Sequence, residues 1–210
     1  MTVPLPSGDL DTPRVALAIL AGGEGKRMGG PKDRLIARGK PILRYIIEHV
    51  AWPGPTVLVL GKGRELPAGH EACVKVARDE VAGQGPLRGI LTAVEGSDAP
   101  ATAVIPVDMP WVGREQLEFL IAELSSDALS NGVLLSRAPE GSARIEPFPC
   151  IFRARAAPII RSHLAQDRFA IRELAADSSI AVIDAPAWPA EVWHNVNTPG
   201  DLPDWITLSL

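Results

Sequence analysis

The sequence predicts an α/β protein: a single-domain, three-layer sandwich with a mainly parallel sheet. Three observations carry this. Val15 to Leu20, Thr56 to Leu60 and Thr102 to Val107 are short apolar runs without polar alternation, the pattern of strands buried on both faces. Stretches with helical apolar spacing lie between them. Strand and helix alternate along the chain, as a parallel sheet with crossover helices requires.

The elements follow in order. Val15 to Leu20 ends at Gly22-Gly23 and reads as the first strand. Ile42, Leu43, Ile46, Ile47 and Val50 form a helical stripe, with Pro41 suited to its first turn. Thr56 to Leu60 and Ala72 to Ala77 read as the second and third strands. In "GPLRGILTAVE", Leu87, Ile90, Leu91 and Val94 share one helical face. Thr102 to Val107 is a strand stopped by "DMP", Gly113 to Leu124 a helix, and Gly132 to Ser136 a strand. From Ser136 to Phe152 the chain is irregular, beginning rich in proline and glycine and including "IEPFPCIF". Ala154 to Gln166 reads as a helix with Pro158 in its first turns, Ile171 to Ala176 as a short helix, and Ser179 to Ile183 as a strand. Residues 1–13 read as a polar, flexible tail without the layout of a signal peptide. Residues 14–210 then form one domain, with about 136–210 capping the sheet on the substrate side.

Composition narrows the function classes. The chain has 210 residues, 46% hydrophobic and 22% charged, which suits a globular domain with a sizeable core. A net charge of −4 argues against a nucleic-acid binder held by its overall field. Its apolar runs are too short to span a bilayer. Two cysteines far apart, Cys73 and Cys150, read as buried free thiols in a reducing compartment. A cytoplasmic enzyme without nucleic-acid or membrane partners is the expectation.

The sharpest signal is "LAILAGGEGKRMGGPKDRL", Leu17 to Leu35. A glycine-rich loop directly after a buried strand presents backbone N–H groups to an anion, and glycine lets that backbone come close. The dinucleotide fingerprint fails here, because Met28 takes the place of its third glycine. The Walker loop fails too: Leu20 replaces its first glycine, and Arg27 follows Gly25-Lys26. Between Glu24 and Lys40 stand six basic and two acidic residues, a local excess of four positive charges in an acidic chain. Such a loop, at the edge where open α/β sheets bind ligands, suits a polyphosphate.

A carboxylate complements it. "AVIPVDMP" ends a strand with Asp108, placed to hold Mg²⁺, an ion content with one or two carboxylates plus phosphate oxygens and water. The alternative for Asp108 is a turn or helix-capping role. "RDEVAGQGPLRG" brings a second glycine loop after Asp79. There is no Gly-x-Ser-x-Gly, no His-Glu-x-x-His and no Cys-x-x-Cys. Phosphoryl or nucleotidyl transfer, which rests on positioning and charge neutralisation, needs none of these.

In this order "LAGGEGKRMGGPK", "GQGPLRGI", "PVDMP" and "HNVNTPGDL" resemble the molybdenum cofactor guanylyltransferase (MobA-like) family, from about Val15 to Leu202. The first motif is common to many nucleotidyltransferases; "NVNTP" is the more specific. The resemblance implies a nucleotidyltransferase fold of the GT-A type. It implies transfer of GMP from GTP to the terminal phosphate of molybdenum-bound molybdopterin, with Mg²⁺ as cofactor and cofactor-inserting or molybdoenzyme-maturation proteins as possible partners. Leu20, Ala21, Gly22 and Gly23 would line the guanine and phosphates. Arg27 would hold the departing pyrophosphate, Lys32 the phosphates near the reacting one, and Asp79 the nucleoside. Asp108 would carry Mg²⁺, and Asn195 and Asn197 would face the pterin. The family often reads Met-Gly-Gly-x-Asp-Lys, whereas this chain has Pro31-Lys32-Asp33, as in the cytidylyltransferase branch. A cytidylyltransferase on the same pterin, another sugar- or alcohol-phosphate nucleotidyltransferase, and a nucleotide-binding regulatory protein are the alternatives.

Overall fold

The computed structural model describes residues 10–23, 25–138 and 144–208, and the backbone but not the side chain of Lys26. Much of the tail expected over residues 1–13 lies outside them; Leu10 packs on the core and Thr12–Arg14 form one 3₁₀ turn.

The first strand, β1 (Val15–Leu20), has all six residues buried. It is followed by two short strands, β2 (Leu35–Ala37) and β3 (Lys40–Pro41), and by α1 (Ile42–Val50). Pro41 stands just before α1 rather than inside its first turn. β4 (Thr56–Leu60) and β5 (Lys75–Arg78) come next, then α2 (Gly85–Gly96) and β6 (Ala101–Pro106). α3 (Arg114–Ser126), β7 (Gly132–Arg137), β8 (Arg144–Arg153), α4 (Ala157–Ala165), β9 (Ile180–Asp184) and β10 (Ile206–Leu208) complete the order.

Seven strands form one sheet in the order β5-β4-β1-β6-β8-β7-β9. Every neighbouring pair is parallel except the two pairs made by β8. α2 packs across β4, β5 and β6 and against α4, while α3 lies along β6, β7 and β8. Helices thus cover the apolar strands, and the expected α/β class with a mainly parallel sheet holds.

Two features depart from the sequence reading. The third strand begins at Lys75 rather than Ala72, because His70–Ala72 turns as a 3₁₀ helix. The irregular stretch before Phe152 contains a ten-residue antiparallel strand, β8. Pro147 and Pro149 disguise it, since proline cannot donate to a ladder. The pairing accommodates them: β8 meets β7 through Glu146 and then again from Ile151, and meets β6 only from Cys150. Residues 147–149 therefore run past the carboxyl end of β6.

A second sheet of three antiparallel strands, β10-β2-β3, escaped the sequence reading because its strands are two or three residues long. It joins the two ends of the chain. Ile206 faces Ala37 and Leu208 faces Leu35 in register, and Trp205 packs against Tyr45 and Trp111 with ring centroids 5.1 and 5.4 Å apart. The segment carrying Asn195 and Asn197 is thereby anchored beside the loop that follows β1. Both cysteines are free; Cys150 is buried, whereas Cys73 is only half-buried, its thiol pushed up to about 11 chiefly by burial.

Leu17 is fully buried between β4 and β6. Leu17→Ala should cost about 3 kcal/mol of unfolding free energy, as large-to-small core changes do. Urea denaturation checks this; a loss below about 1 kcal/mol would mean the centre of the sheet is not packed as described.

Candidate active site

The strand order reverses around β1, which continues into β4 through α1 yet also pairs with β6. Ligands in open α/β sheets bind outside the carboxyl ends of strands at such a switch point. A cleft of about 610 Å³ opens there. Its walls come from Leu20 to Gly23 after β1, Gly61 and Lys62 after β4, Asp79 after β5, the start of α2, and Asp108 after β6. Pro147 and Phe148, the part of β8 beyond β6, close the far side with Asn195.

Two glycines of the first loop, Gly22 and Gly25, have no room for a side chain. A Cβ on Gly22 would lie 2.9 Å from the backbone nitrogen of Gly61, where the β1 and β4 loops touch. Gly25 has φ of +59°, and a Cβ there would come within 1.9 Å of the Gly30 carbonyl oxygen. The loop thus folds back on itself. Met28, 1% exposed, pins it to the core, and Lys26–Met28 make a single 3₁₀ turn.

Lys32 is the hub of the cleft. Its Nζ donates to Oδ2 of Asp108 and, at 2.6 Å, to Oδ1 of Asn197. The backbone N–H of Val196, between the two asparagines, donates to the Asp108 carbonyl at 2.9 Å. One lysine thereby ties the glycine loop to the end of β6 and to the C-terminal segment. That segment is stiffened by Asp201, whose Oδ2 accepts from the backbone N–H groups of Thr198 and Asn197 and from the Thr198 hydroxyl. These bonds hold the Asp201 carboxyl below its ordinary range, those from the Thr198 and Asn197 backbone leading.

The other oxygen of Asp108, Oδ1, is buried without a hydrogen-bond partner among the described residues. An orphaned carboxylate oxygen facing a phosphate loop fits a cation. Among the described residues there is no group of three or more His, Cys, Asp or Glu side chains able to hold a metal. An ion at Asp108 would draw its remaining ligands from phosphate and water, the habit of Mg²⁺.

The structure brings Lys32, Asp79, Asp108, Asn195 and the Leu20–Gly23 backbone to one cleft, with Asn197 joined to it through Lys32. It does not place Arg27 there. Arg27 is exposed on the loop's outer rim and is not part of the cleft wall.

Four residues went unnoticed in the sequence as parts of the site. Asp33, 6% exposed, is paired with Arg64 at 3.0 Å, and both line the cleft. This pair fastens the Lys32 turn to the loop after β4. No local motif announces it, because the partners are 31 residues apart. Arg88 and Gln84 lie within the second glycine motif, yet side-chain direction there depends on how α2 docks. Asp79 accepts a hydrogen bond from the Thr92 hydroxyl at 2.7 Å. Burial pushes its carboxyl up, opposed by Thr92 and by the charge of Arg88.

A glycine loop, a lysine and a carboxylate with one open oxygen, gathered at the carboxyl edge of a mixed sheet, suit a nucleotidyltransferase. Residues 17–181 match the model of the MobA-like NTP transferase domain. A molybdenum cofactor guanylyltransferase of Pasteurella multocida is 28% identical over 186 residues, which is 88% of this chain and 95% of that one. One from Shewanella amazonensis is 28% identical over 89% of this chain and 92% of its own. Among solved structures, molybdopterin-guanine dinucleotide biosynthesis protein A of Archaeoglobus fulgidus shares the fold, with a TM-score of 0.68 and 23% identity over 89% of this chain and 94% of that one. So does 2-C-methyl-D-erythritol 4-phosphate cytidylyltransferase of Thermus thermophilus, with a TM-score of 0.62 and 16% identity over 89% and 94%. The chain belongs to the MobA-like NTP transferase domain family.

Two outcomes test the site. Gly25→Ala should abolish nucleotide binding, because a side chain at that φ cannot share the loop with Gly30. Calorimetric titration that still found wild-type affinity would show that the loop does not cradle phosphate. The second concerns pH. A carboxyl raised in the folded state holds its proton more tightly there, so stability falls as pH rises past its unfolded pKa toward the folded one. Asp79→Asn should therefore raise the melting temperature relative to wild type near pH 7 and lose that advantage near pH 3. An advantage that is equal at both pH values would contradict the burial of Asp79.

Proposed function

We propose that this protein transfers GMP from GTP to the terminal phosphate of molybdenum-bound molybdopterin, producing the guanine dinucleotide cofactor and pyrophosphate. The observation that carries the reading is the Lys32 bridge. It couples the Asp108 carboxylate on the nucleotide side to Asn197 on the "NVNTP" segment in a chain of this family.

The reaction is an in-line displacement. An oxygen of the pterin phosphate forms a bond to the α-phosphorus of GTP, and the bond from that phosphorus to the α–β bridging oxygen breaks. The electron pair leaves with pyrophosphate. The nucleophile is already an anion at neutral pH, so no side chain has to remove its proton. The barrier lies in bringing two anions together, and it is lowered by positioning and by positive charge. The Gly22–Gly23 backbone holds the phosphates. Lys32 exchanges its bond to Asp108 for phosphate oxygens, which frees both Asp108 and Asn197. Arg27, on the loop rim, turns inward to neutralise the departing pyrophosphate. Asp108 would hold Mg²⁺, which supplies Lewis acidity and charge neutralisation at the phosphates. Asn195 and Asn197 orient the pterin, and the half of the chain from about Ser136 serves this acceptor side. With the substrate-bearing unit spanning 14–210, the enzyme would act in the cytoplasm and pass its product to a cofactor-inserting protein.

No helix among the described residues is long and apolar enough to cross a membrane.

Pyrophosphate release in the presence of Mg²⁺ and molybdenum-loaded pterin tests the reading, with GTP, CTP, ATP and UTP supplied in turn. Release with GTP alone is expected. Release with CTP instead would make this a cytidylyltransferase on the same acceptor, the branch to which the Pro31-Lys32 spacing belongs. Asp108→Ala should lower turnover at least about 100-fold, the scale set by removing a single charge-stabilising group. Asn197→Asp should weaken use of the pterin while GTP binding is kept. If that variant lost GTP affinity with its fold intact, Asn197 would belong to the nucleotide side.

A further inference from the structure

The cleft has two ends. Asp108 and Lys32 mark one, at β6. Asp79 marks the other, at β5, three strand positions away. At the usual strand spacing this is roughly 14 Å, enough to separate the reacting phosphate from the base of one nucleotide. The β5 end carries two orphaned polar atoms on the first turn of α2. Arg88 Nε, a donor, and Gln84 Oε1, an acceptor, are both buried without a hydrogen-bond partner among the described residues, and both residues line the cleft.

Arg88 differs from the other cations lining the cleft, of which Lys62 is exposed to water. Arg64 is balanced by the buried carboxylate of Asp33, and Lys32 by Asp108. Arg88 is 14% exposed, yet its salt-bridge partner Glu80 is 87% exposed and 3.4 Å away. Water screens such a pairing, so it does little to neutralise the guanidinium. Asp79 lies within range of its charge, but Arg88 Nε has no acceptor among the described residues, and a buried planar donor left open is prepared for a ligand. It stands near Asp79, at the end of the cleft that the guanylyl reading gives to the nucleoside.

We propose that Arg88 is a specificity-determining residue that donates to the O6 oxygen of guanine and so admits GTP while rejecting ATP. This rests on the guanylyl reading given above. An arginine fork suits the guanine O6/N7 edge, whereas adenine places the N6 amino group, a donor, at the same position. Donor would then face donor, and the buried guanidinium would be left unsatisfied.

Equilibrium binding of GTP, ATP, CTP, inosine triphosphate and 2-aminopurine riboside triphosphate to the wild-type chain and to Arg88→Met tests this. Inosine keeps O6 and lacks only the 2-amino group; 2-aminopurine keeps the amino group and lacks O6. Wild type should discriminate against ATP and against the 2-aminopurine nucleotide by about 10- to 100-fold, the range of one good arginine–base contact. Arg88→Met should collapse both ratios toward one and leave the ratio of GTP to inosine triphosphate unchanged. Arg88→Lys, which keeps the charge without the fork, should lie between. If all five nucleotides weaken equally in the variants, Arg88 holds phosphate or merely supports the loop, and the assignment falls. A wild type that binds GTP and its 2-aminopurine analogue equally overturns it without any variant, whatever the variants' stability. Preference of the wild type for CTP over GTP would instead defeat the guanylyl reading itself, and the O6 assignment with it.

Discussion

β1 is hydrogen-bonded on both sides along its length, so the chain can leave the sheet only at its ends. Leu20 pairs with Val59 on one side and Pro106 on the other, and beyond it neither neighbour continues in register. The first residue beyond it, Ala21, still donates its N–H to the Val59 carbonyl, and the next, Gly22, has no room for a side chain against Gly61. A glycine loop is the local solution. Its position between two strands that diverge into separate loops makes it the floor of a cleft. Every other element of the site takes its place relative to this exit point: the β4 loop touches it, Gly89 of α2 packs on Leu20, and Asp108 follows the strand alongside.

The charges around this floor are arranged to be interrupted. Lys32 bonds to Asp108 and Asn197, and on the proposed mechanism both are released as phosphate takes their place. Asp108 Oδ1 is left without a partner among the described residues, and so is Nε of Arg64 in the Asp33–Arg64 pair, which differs in its place. Its carboxylate is more deeply buried, its partner comes from a neighbouring loop, and it fixes the backbone from which Lys32 extends. On the proposed mechanism the Lys32 pair exchanges partners while the Asp33–Arg64 pair holds its backbone in place.

The placement of the segment carrying Asn195 and Asn197 depends on contacts that are distant in sequence. The small β10-β2-β3 sheet and the packing of Trp205 on Tyr45 and Trp111 bring the C-terminal segment back across the cleft. Without that return, Asn195 and Asn197 would be ordinary turn residues. Asp201 rigidifies the turn by taking three donors on one carboxylate oxygen, so the asparagines are presented on a stiff support.

Local sequence determined the buried strands, their crossover helices, the phosphate loop and the carboxylate after β6, because each depends on a periodicity or a backbone geometry that a few adjacent residues encode. β1, α1, β4 and the Ile171–Ala176 turn run over the very residues that the pattern indicated. The tertiary structure alone decided the rest. β8 runs antiparallel through two prolines because β6 and β7 pair with it at the residues the prolines spare. Two- and three-residue strands exist only because remote partners complete their hydrogen bonds. Arg64 meets Asp33, and Arg88 stands in the cleft wall with its Nε unpartnered among the described residues, because of how separate elements dock. Arg27, expected among the phosphates, is exposed and stands outside the cleft wall. Sequence periodicity encodes where a chain is buried; which side chains share one cleft is set by packing between segments that carry no mutual signal in the sequence.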